Sequence, residues 1–142
     1  MISHEQIVSV RWGECDPAGI VFYPRFFEWF DQSTEALFTA AGLPWPALFA
    51  KYKVSGVSIV ESGARFAAPV RYGDEARIRS TIAEVRDKTF RVEHEVSVNG
   101  APCATGFEVR AWIALPEAPG GRLRSAPLPA EVAAALKGEA RT

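Results

Sequence analysis

Asp16 stands where this sequence best suits carbonyl chemistry. It lies in Gly13-Glu14-Cys15-Asp16-Pro17-Ala18-Gly19, a turn-prone stretch stiffened by Pro17 and loosened by Gly19. A long helical pattern opens shortly afterwards at Pro24. The first N–H groups of a helix have no partner inside it and carry the positive end of its dipole. A carboxylate and a set of such donors could therefore converge on one carbonyl group. The carboxylate would attack it or deprotonate a water, and the donors would hold the developing oxyanion. Removing a single donor of this kind costs about 2.7–4 kcal/mol of barrier. The structural alternative stands beside this one: an aspartate ahead of a helix is most often an N-cap, and Asp-Pro is most often a turn. Asp16 lies eight residues before Pro24, too far to cap a helix that starts there.

The elements that must position this loop follow from periodicity. Gln6 to Trp12 reads as a short strand through Ile7, Val8 and Val10. Pro24 to Ala41 reads as a helix, with Pro24 suited to its first turn and Gly42 and Pro44 ending it. Phe27, Phe30, Thr34, Leu37, Phe38 and Ala41 fall on one face at three- and four-residue steps, with Trp29 off that stripe. Glu28, Asp31, Gln32 and Glu35 populate another face. The period then becomes two. Val54 to Val60 and Ala64 to Val70 read as one strand interrupted near Gly63, and Ala76 to Val85 as another. Thr89 to Val98 alternates Phe90, Val92, Val96 and Val98 against Arg91, Glu93, Glu95 and Ser97. Asn99-Gly100 is a hairpin turn because both residues tolerate positive φ. The return strand, Cys103 to Leu115, puts Phe107, Val109, Ala111, Ile113 and Leu115 on one face. Residues 116–129 read as loop and Ala130 to Leu136 as a short helix. One amphipathic helix followed by a meander indicates an α+β fold of five antiparallel strands in a single domain, 1–142. One helix on such a sheet leaves apolar surface uncovered, which points to self-association.

Composition narrows the function classes. Sixteen basic and seventeen acidic residues give a net charge of -1, with no electrostatic footprint for nucleic acid or an anionic membrane. The two cysteines, Cys15 and Cys103, form no CxxC pair, so neither a disulfide framework nor a zinc site is expected. The N-terminus lacks a basic patch followed by an apolar run, and no apolar stretch approaches the ~20 residues of a membrane span. A cytoplasmic location is the expectation. No serine sits in a Gly-x-Ser-x-Gly setting. Of the two histidines, His4 is near the terminus and His94 falls on the apolar side of its strand, where a hydrogen-bonded core histidine is the ordinary reading.

The stretch from Arg11-Trp12-Gly13-Glu14-Cys15-Asp16-Pro17-Ala18-Gly19-Ile20-Val21-Phe22-Tyr23-Pro24 on to Phe30-Asp31 resembles the signature of the 4-hydroxybenzoyl-CoA thioesterase family. The resemblance extends through Gly42-Leu43-Pro44-Trp45, the Gly56 to Val60 segment and the Lys88-Thr89-Phe90 turn. It implies a hotdog fold, a curved antiparallel five-stranded sheet wrapped around the long helix, in homodimers that pair into homotetramers. It implies Asp16 as the catalytic carboxylate and the backbone N–H of Tyr23 as the donor to the thioester carbonyl. By the same resemblance, Trp45, Val57, Ser58 and Ile59 contact the acyl and pantetheine groups, and Arg86, Lys88, Thr89 and Phe90 meet the nucleotide end of coenzyme A. Asp87 departs from the doubly basic pattern of that turn, and Pro24, where other members carry His, places the chain near the hydroxybenzoyl branch. The expected activity is hydrolysis of an acyl-CoA without metal or added cofactor. A thioester suits these parts because its thiolate leaves without a strong acid, the parent thiol having a pKa near ~8.5. Two other readings remain: a hotdog hydratase or dehydratase, which would want a histidine paired with a carboxylate near the helix start, and a non-catalytic acyl-CoA-binding protein.

Overall fold

The computed structural model describes residues 1–139. Strand β1 is Ser3–Ser9, and a single 3-10 turn, Trp12–Glu14, takes the place of the expected continuation to Trp12. Helix α1 is Pro24–Ala40, followed by α2, Trp45–Tyr52, which the sequence reading did not anticipate. Strands β2 (Val54–Phe66), β3 (Glu75–Val85), β4 (Thr89–Val98) and β5 (Ala101–Ala114) follow, then the two-residue β6 (Arg124–Ser125) and helix α3 (Ala130–Lys137). The antiparallel sheet runs β1-β3-β4-β5-β2, with β6 joined to the end of β5. The five expected strands form the sheet, and the described residues add to it the two-residue β6, which lies in the stretch expected to be loop.

Helix α1 packs on one face of this sheet, against β1, β3 and β5. Its buried face is wider than the expected stripe. Phe26, Trp29 and Ser33 are buried along with Phe30, Thr34, Leu37 and Phe38, whereas Phe27 is only half-buried. Trp29, placed off the stripe from its spacing, is 2% exposed. A sheet that covers a helix broadly buries more than the three-in-seven stripe of an ordinary surface helix.

Two further expectations change. Strand β2 runs through Gly63 without a break and ends at Phe66; its irregularities are bulges near Gly56 and Val60, where the register with β5 shifts. The apolar residues expected to share one face of β5 are on the face turned away from the helix, although Ala111 and Ile113 among them are still buried. The hairpin turn is as anticipated, with Asn99 at φ 50° and Gly100 at φ 80°. A bulge then intervenes, since Ser97 pairs with Pro102 but Val96 with Ala104. One extra residue moves every later side chain of the strand to the other face. Phe107 and Val109 consequently face outward beside Arg91, whose guanidinium lies 4.1 Å from the Phe107 ring centroid. Gly106, Glu108, Arg110 and Trp112 face α1 and the core.

At Gly106 the close approach requires glycine. A Cβ there would lie 2.2 Å from Phe30 Cε2 and 2.6 Å from Cζ. The Phe30 ring cannot retreat: it is fully buried and stacked on His94 with centroids 4.6 Å apart. Gly106→Ala is expected to lower stability by about 1–3 kcal/mol, as overpacking does. Urea unfolding would measure it, and an unchanged midpoint would refute the contact.

The core has two apolar clusters along α1. One gathers Phe26, Trp29 and Phe30 with Val21, Val70, Ile78 and Val96; the other gathers Leu37 and Phe38 with Leu48, Val57, Phe90, Trp112 and Leu136. At the level of Thr34 lies a buried polar network. Ser80 Oγ is 2.7 Å from His94 Nδ1, and His94 Nε2 is 3.1 Å from Glu108 Oε1, to which Thr34 also donates. Arg110 donates through Nη2 to Glu108 Oε2 at 2.7 Å and to Asp31 Oδ1 at 2.6 Å, and through Nη1 to the Val57 carbonyl at 2.9 Å. Buried charges need such pairing. Among the described residues no helix is long and apolar enough to cross a membrane by itself.

Candidate active site

The chain leaves the 3-10 turn into the Asp16 loop and is stitched closed on both sides. Asp16 N–H donates to Ile20 O and Gly19 N–H to Asp16 O, both at 2.9 Å, and Gly19 takes φ +77°, which suits glycine. Cys15 bridges Val21 across the loop, and Val21 N–H donates to Val70 O at 2.8 Å. One carboxylate oxygen of Asp16, Oδ1, accepts the Ala18 N–H at 2.8 Å, an Asx-turn that holds the loop shut. Its other oxygen, Oδ2, accepts no hydrogen bond from the described residues. The half-buried carboxylate thus has a structural duty and a free oxygen together.

Helix α1 begins with no side-chain cap: Tyr23 is at the N-cap position and Pro24 at the first helical position. Arg25 N–H turns back to Phe22 O at 2.9 Å and Phe26 N–H to Tyr23 O at 3.2 Å. Pro24 has no N–H, and Phe22 N–H donates to Glu14 O at 2.9 Å. Tyr23 N–H is left without an acceptor among the described residues. Asp16 and Tyr23 therefore belong to one hydrogen-bonded junction, with an unused acceptor and an unused donor.

The other anticipated residues fall into two groups. Trp45 opens α2 with its indole N–H buried and unpartnered, its ring 5.4 Å from the Arg110 guanidinium. Val57 is buried in the core, and Ser58 and Ile59 are exposed on β2. Arg110 thereby joins Val57, Trp45 and Asp31. Arg86, Lys88 and Thr89 lie at the β3–β4 turn, closed by Arg86 N–H to Thr89 O at 2.8 Å. The Arg86 side chain pairs with Glu84 at 2.6 Å, a solvent-exposed contact easily exchanged for another anion. Phe90 is buried against Phe38, so its side chain does not reach the surface. No hydrogen bond or ion pair among the described residues links this turn to the Asp16 loop.

Other nucleophiles fit less well. Burial raises the Cys15 thiol, and the charges of Glu14 and Asp16 raise it further, which keeps it protonated. No cluster of three or more His, Cys, Asp or Glu among the described residues could hold a metal ion. Glu14, Glu108 and Arg110 are the site-region residues that the sequence reading missed. A strand register corrected for the bulge would have found the last two.

A profile of the thioesterase-like superfamily matches residues 10–136, nearly the whole chain. The chain belongs to that superfamily. The 4-hydroxybenzoyl-CoA thioesterase of Pseudomonas sp. (strain CBS-3) is 36% identical over 89 residues, which cover 62% of this chain and 63% of that enzyme. The chain thus spans less than two thirds of that relative in the matched stretch. Among solved structures, a gentisyl-coenzyme A thioesterase is 34% identical with TM-score 0.79, covering 94% of this chain and 99% of the other. An aspartate-to-asparagine mutant of 4-hydroxybenzoyl-CoA thioesterase complexed with 4-hydroxybenzoyl-CoA is 29% identical with TM-score 0.86, covering 94% and 98%. This superfamily member has their hotdog fold, a curled antiparallel sheet around a helix.

Proposed function

We infer that this chain hydrolyses an aromatic acyl-CoA to the free acid and coenzyme A. The observation that carries the reading is the junction itself: the free Oδ2 of Asp16 and the free N–H of Tyr23 belong to one stitched loop and helix start. The Tyr23 N–H would take the thioester oxygen as negative charge develops there. Asp16 would either attack the carbonyl carbon or take a proton from an attacking water. In the first route a C–O bond to Asp16 forms, the C–S bond breaks, and the thiolate of coenzyme A leaves. Water then opens the mixed anhydride, restoring the carboxylate and releasing the acid.

The acyl preference is supported by relatives named for 4-hydroxybenzoyl, gentisyl and 1,4-dihydroxy-2-naphthoyl thioesters. It also fits the orphaned indole N–H of Trp45, because an unmet buried donor costs roughly 1–3 kcal/mol and an oxygen on the acyl ring would meet it. Trp45, Val57, Ser58 and Ile59 would contact the acyl and pantetheine groups; Arg86, Lys88 and Thr89 would meet the nucleotide. A hydratase finds no support in this geometry, since both nitrogens of buried His94 are engaged by Ser80 and Glu108.

A second copy of the chain completes the reading. One edge of β2 has no partner strand among the described residues, and Ile59, Val60 and Phe66 on it are 45%, 59% and 50% exposed. An open apolar edge is a template for strand pairing. The test is a panel of benzoyl-, hydroxybenzoyl-, phenylacetyl- and short aliphatic CoA esters, followed by thiol release, on protein sized by light scattering. Faster turnover of hydroxylated aromatic esters by a dimer or tetramer is expected. No turnover on any ester would favour the binding-protein alternative.

A further inference from the structure

Glu14 makes four hydrogen bonds at the junction. Its Oε1 accepts the Arg11 N–H at 2.9 Å, and its Oε2 accepts the indole N–H of Trp29 at 2.8 Å. Its own N–H donates to Arg11 O at 3.0 Å, and its carbonyl accepts the Phe22 N–H at 2.9 Å. Trp29 is 2% exposed and sits on α1, so the carboxylate moors the turn to the buried face of that helix. Asp16 follows Glu14 by two residues. Phe22, which the Glu14 carbonyl grips, immediately precedes Tyr23. The two groups that must meet one carbonyl are thus both referred to the same residue.

We propose that Glu14 is a positioning residue that fixes the Asp16 carboxylate relative to the Tyr23 N–H. This rests on the reading of Asp16 and Tyr23 given above. An acceptor-only group is required at this point. Two donors, Arg11 N–H and Trp29 Nε1–H, aim at its two oxygens, and a carboxylate can accept from both. A glutamine presents one oxygen and one NH2 group, so it must turn an N–H towards one of those donors and be pushed away. The displacement passes to Asp16 along two residues and to the helix start through Phe22. A misplacement of about 1 Å costs on the order of 100-fold in rate.

The test compares Glu14→Gln, Trp29→Phe, the double variant, Asp16→Asn and a remote core variant, Leu136→Ala, using the hydroxybenzoyl-CoA ester. Each is assayed for kcat, KM and thermal midpoint. Glu14→Gln is expected to lose about tenfold or more in kcat with KM within about twofold, since binding contacts stay in place. Trp29→Phe removes the donor that the glutamine amide opposes, so the double variant is expected to regain most of that kcat. Leu136→Ala, fully buried in α3, should lower the melting point and leave kcat unchanged. If Glu14→Gln does not fold, Trp29→Phe alone carries the test, with a smaller fall in kcat at constant KM. The proposal is overturned if Glu14→Gln keeps wild-type kcat while Asp16→Asn is inactive, or if Leu136→Ala loses kcat in proportion to its melting point as Glu14→Gln does. An active Asp16→Asn would instead overturn the underlying assignment.

Discussion

Asp16→Asn is expected to lower kcat by at least about 100-fold, roughly 2.7 kcal/mol of barrier, while the dissociation constant for an acyl-CoA stays within a few-fold. The substitution separates the two duties of the side chain. An asparagine Oδ1 still accepts the Ala18 N–H, so the Asx-turn and the 16–20 loop persist. Only the negative charge is lost, and with it the capacity to attack a carbonyl or deprotonate a water. The measurement pairs single-turnover hydrolysis with binding of the unreacted ester. Equal hydrolysis by both proteins would remove Asp16 from the chemistry and leave it as a loop residue. Tighter accumulation of intact ester on the variant would support the role proposed for it.

Arg110→Met is the most damaging change expected for the fold. It leaves Glu108, 4% exposed, without its cation and strips donors from Asp31 and the Val57 carbonyl. Removing one partner of a buried pair costs about 3–5 kcal/mol, a large share of the roughly 5–15 kcal/mol that holds a domain of this size. Acid should reveal the same coupling. Burial alone would push the Glu108 carboxyl up, but hydrogen bonding from His94 and the charge and hydrogen bonds of Arg110, with Thr34, hold it at about 2 against an ordinary 4.5. A carboxylate with a depressed folded-state pKa contributes stability that is complete above its unfolded value and is lost as pH falls towards the folded one. The wild type should therefore lose about 3 kcal/mol between pH 4.5 and 2 from this group. In Arg110→Met the folded value lies closer to the unfolded one, so the loss should end at higher pH and be smaller. Urea unfolding across that range measures both, and a variant within 1 kcal/mol of wild type would show the network to be dispensable.

Much of this was legible in the residues. The Pro24 start, the Gly42 stop and the Thr89 to Val98 alternation each express a single local rule, and each is where it was expected. The Asp16 loop was legible for the same reason, since Pro17 and Gly19 restrict the backbone by themselves. Tyr23 N–H was named only through the family resemblance, and its freedom depends on Arg25 and Phe26 turning back and on Glu14 taking Phe22. None of those bonds is encoded in spacing. Helix α2 was missed because its eight residues begin with Trp45 and Pro46 and carry little periodic signal. The orientation of β5 was missed for a sharper reason. Apolar residues fill its outward positions, while Glu108 and Arg110 fill the inward ones, so hydrophobic patterning points the wrong way unless the bulge is known. Partners on α1, β2 and β4 make the inward charges acceptable, and those partners are distant in sequence.

That bulge makes the chain unequal in its tolerance of length change. Dropping a single residue beyond the bulge, at Thr105, with the bulge kept, would slide the rest of β5 one place along β4, turning Glu108 and Arg110 out to water and Phe107 and Val109 in beneath the helix. The same deletion between Pro116 and Gly121, on the exposed connection that follows, disturbs no pairing of β5 with β4. Descendants of this sequence are thus free to vary in length on one side of the strand and held to a strict residue count on the other.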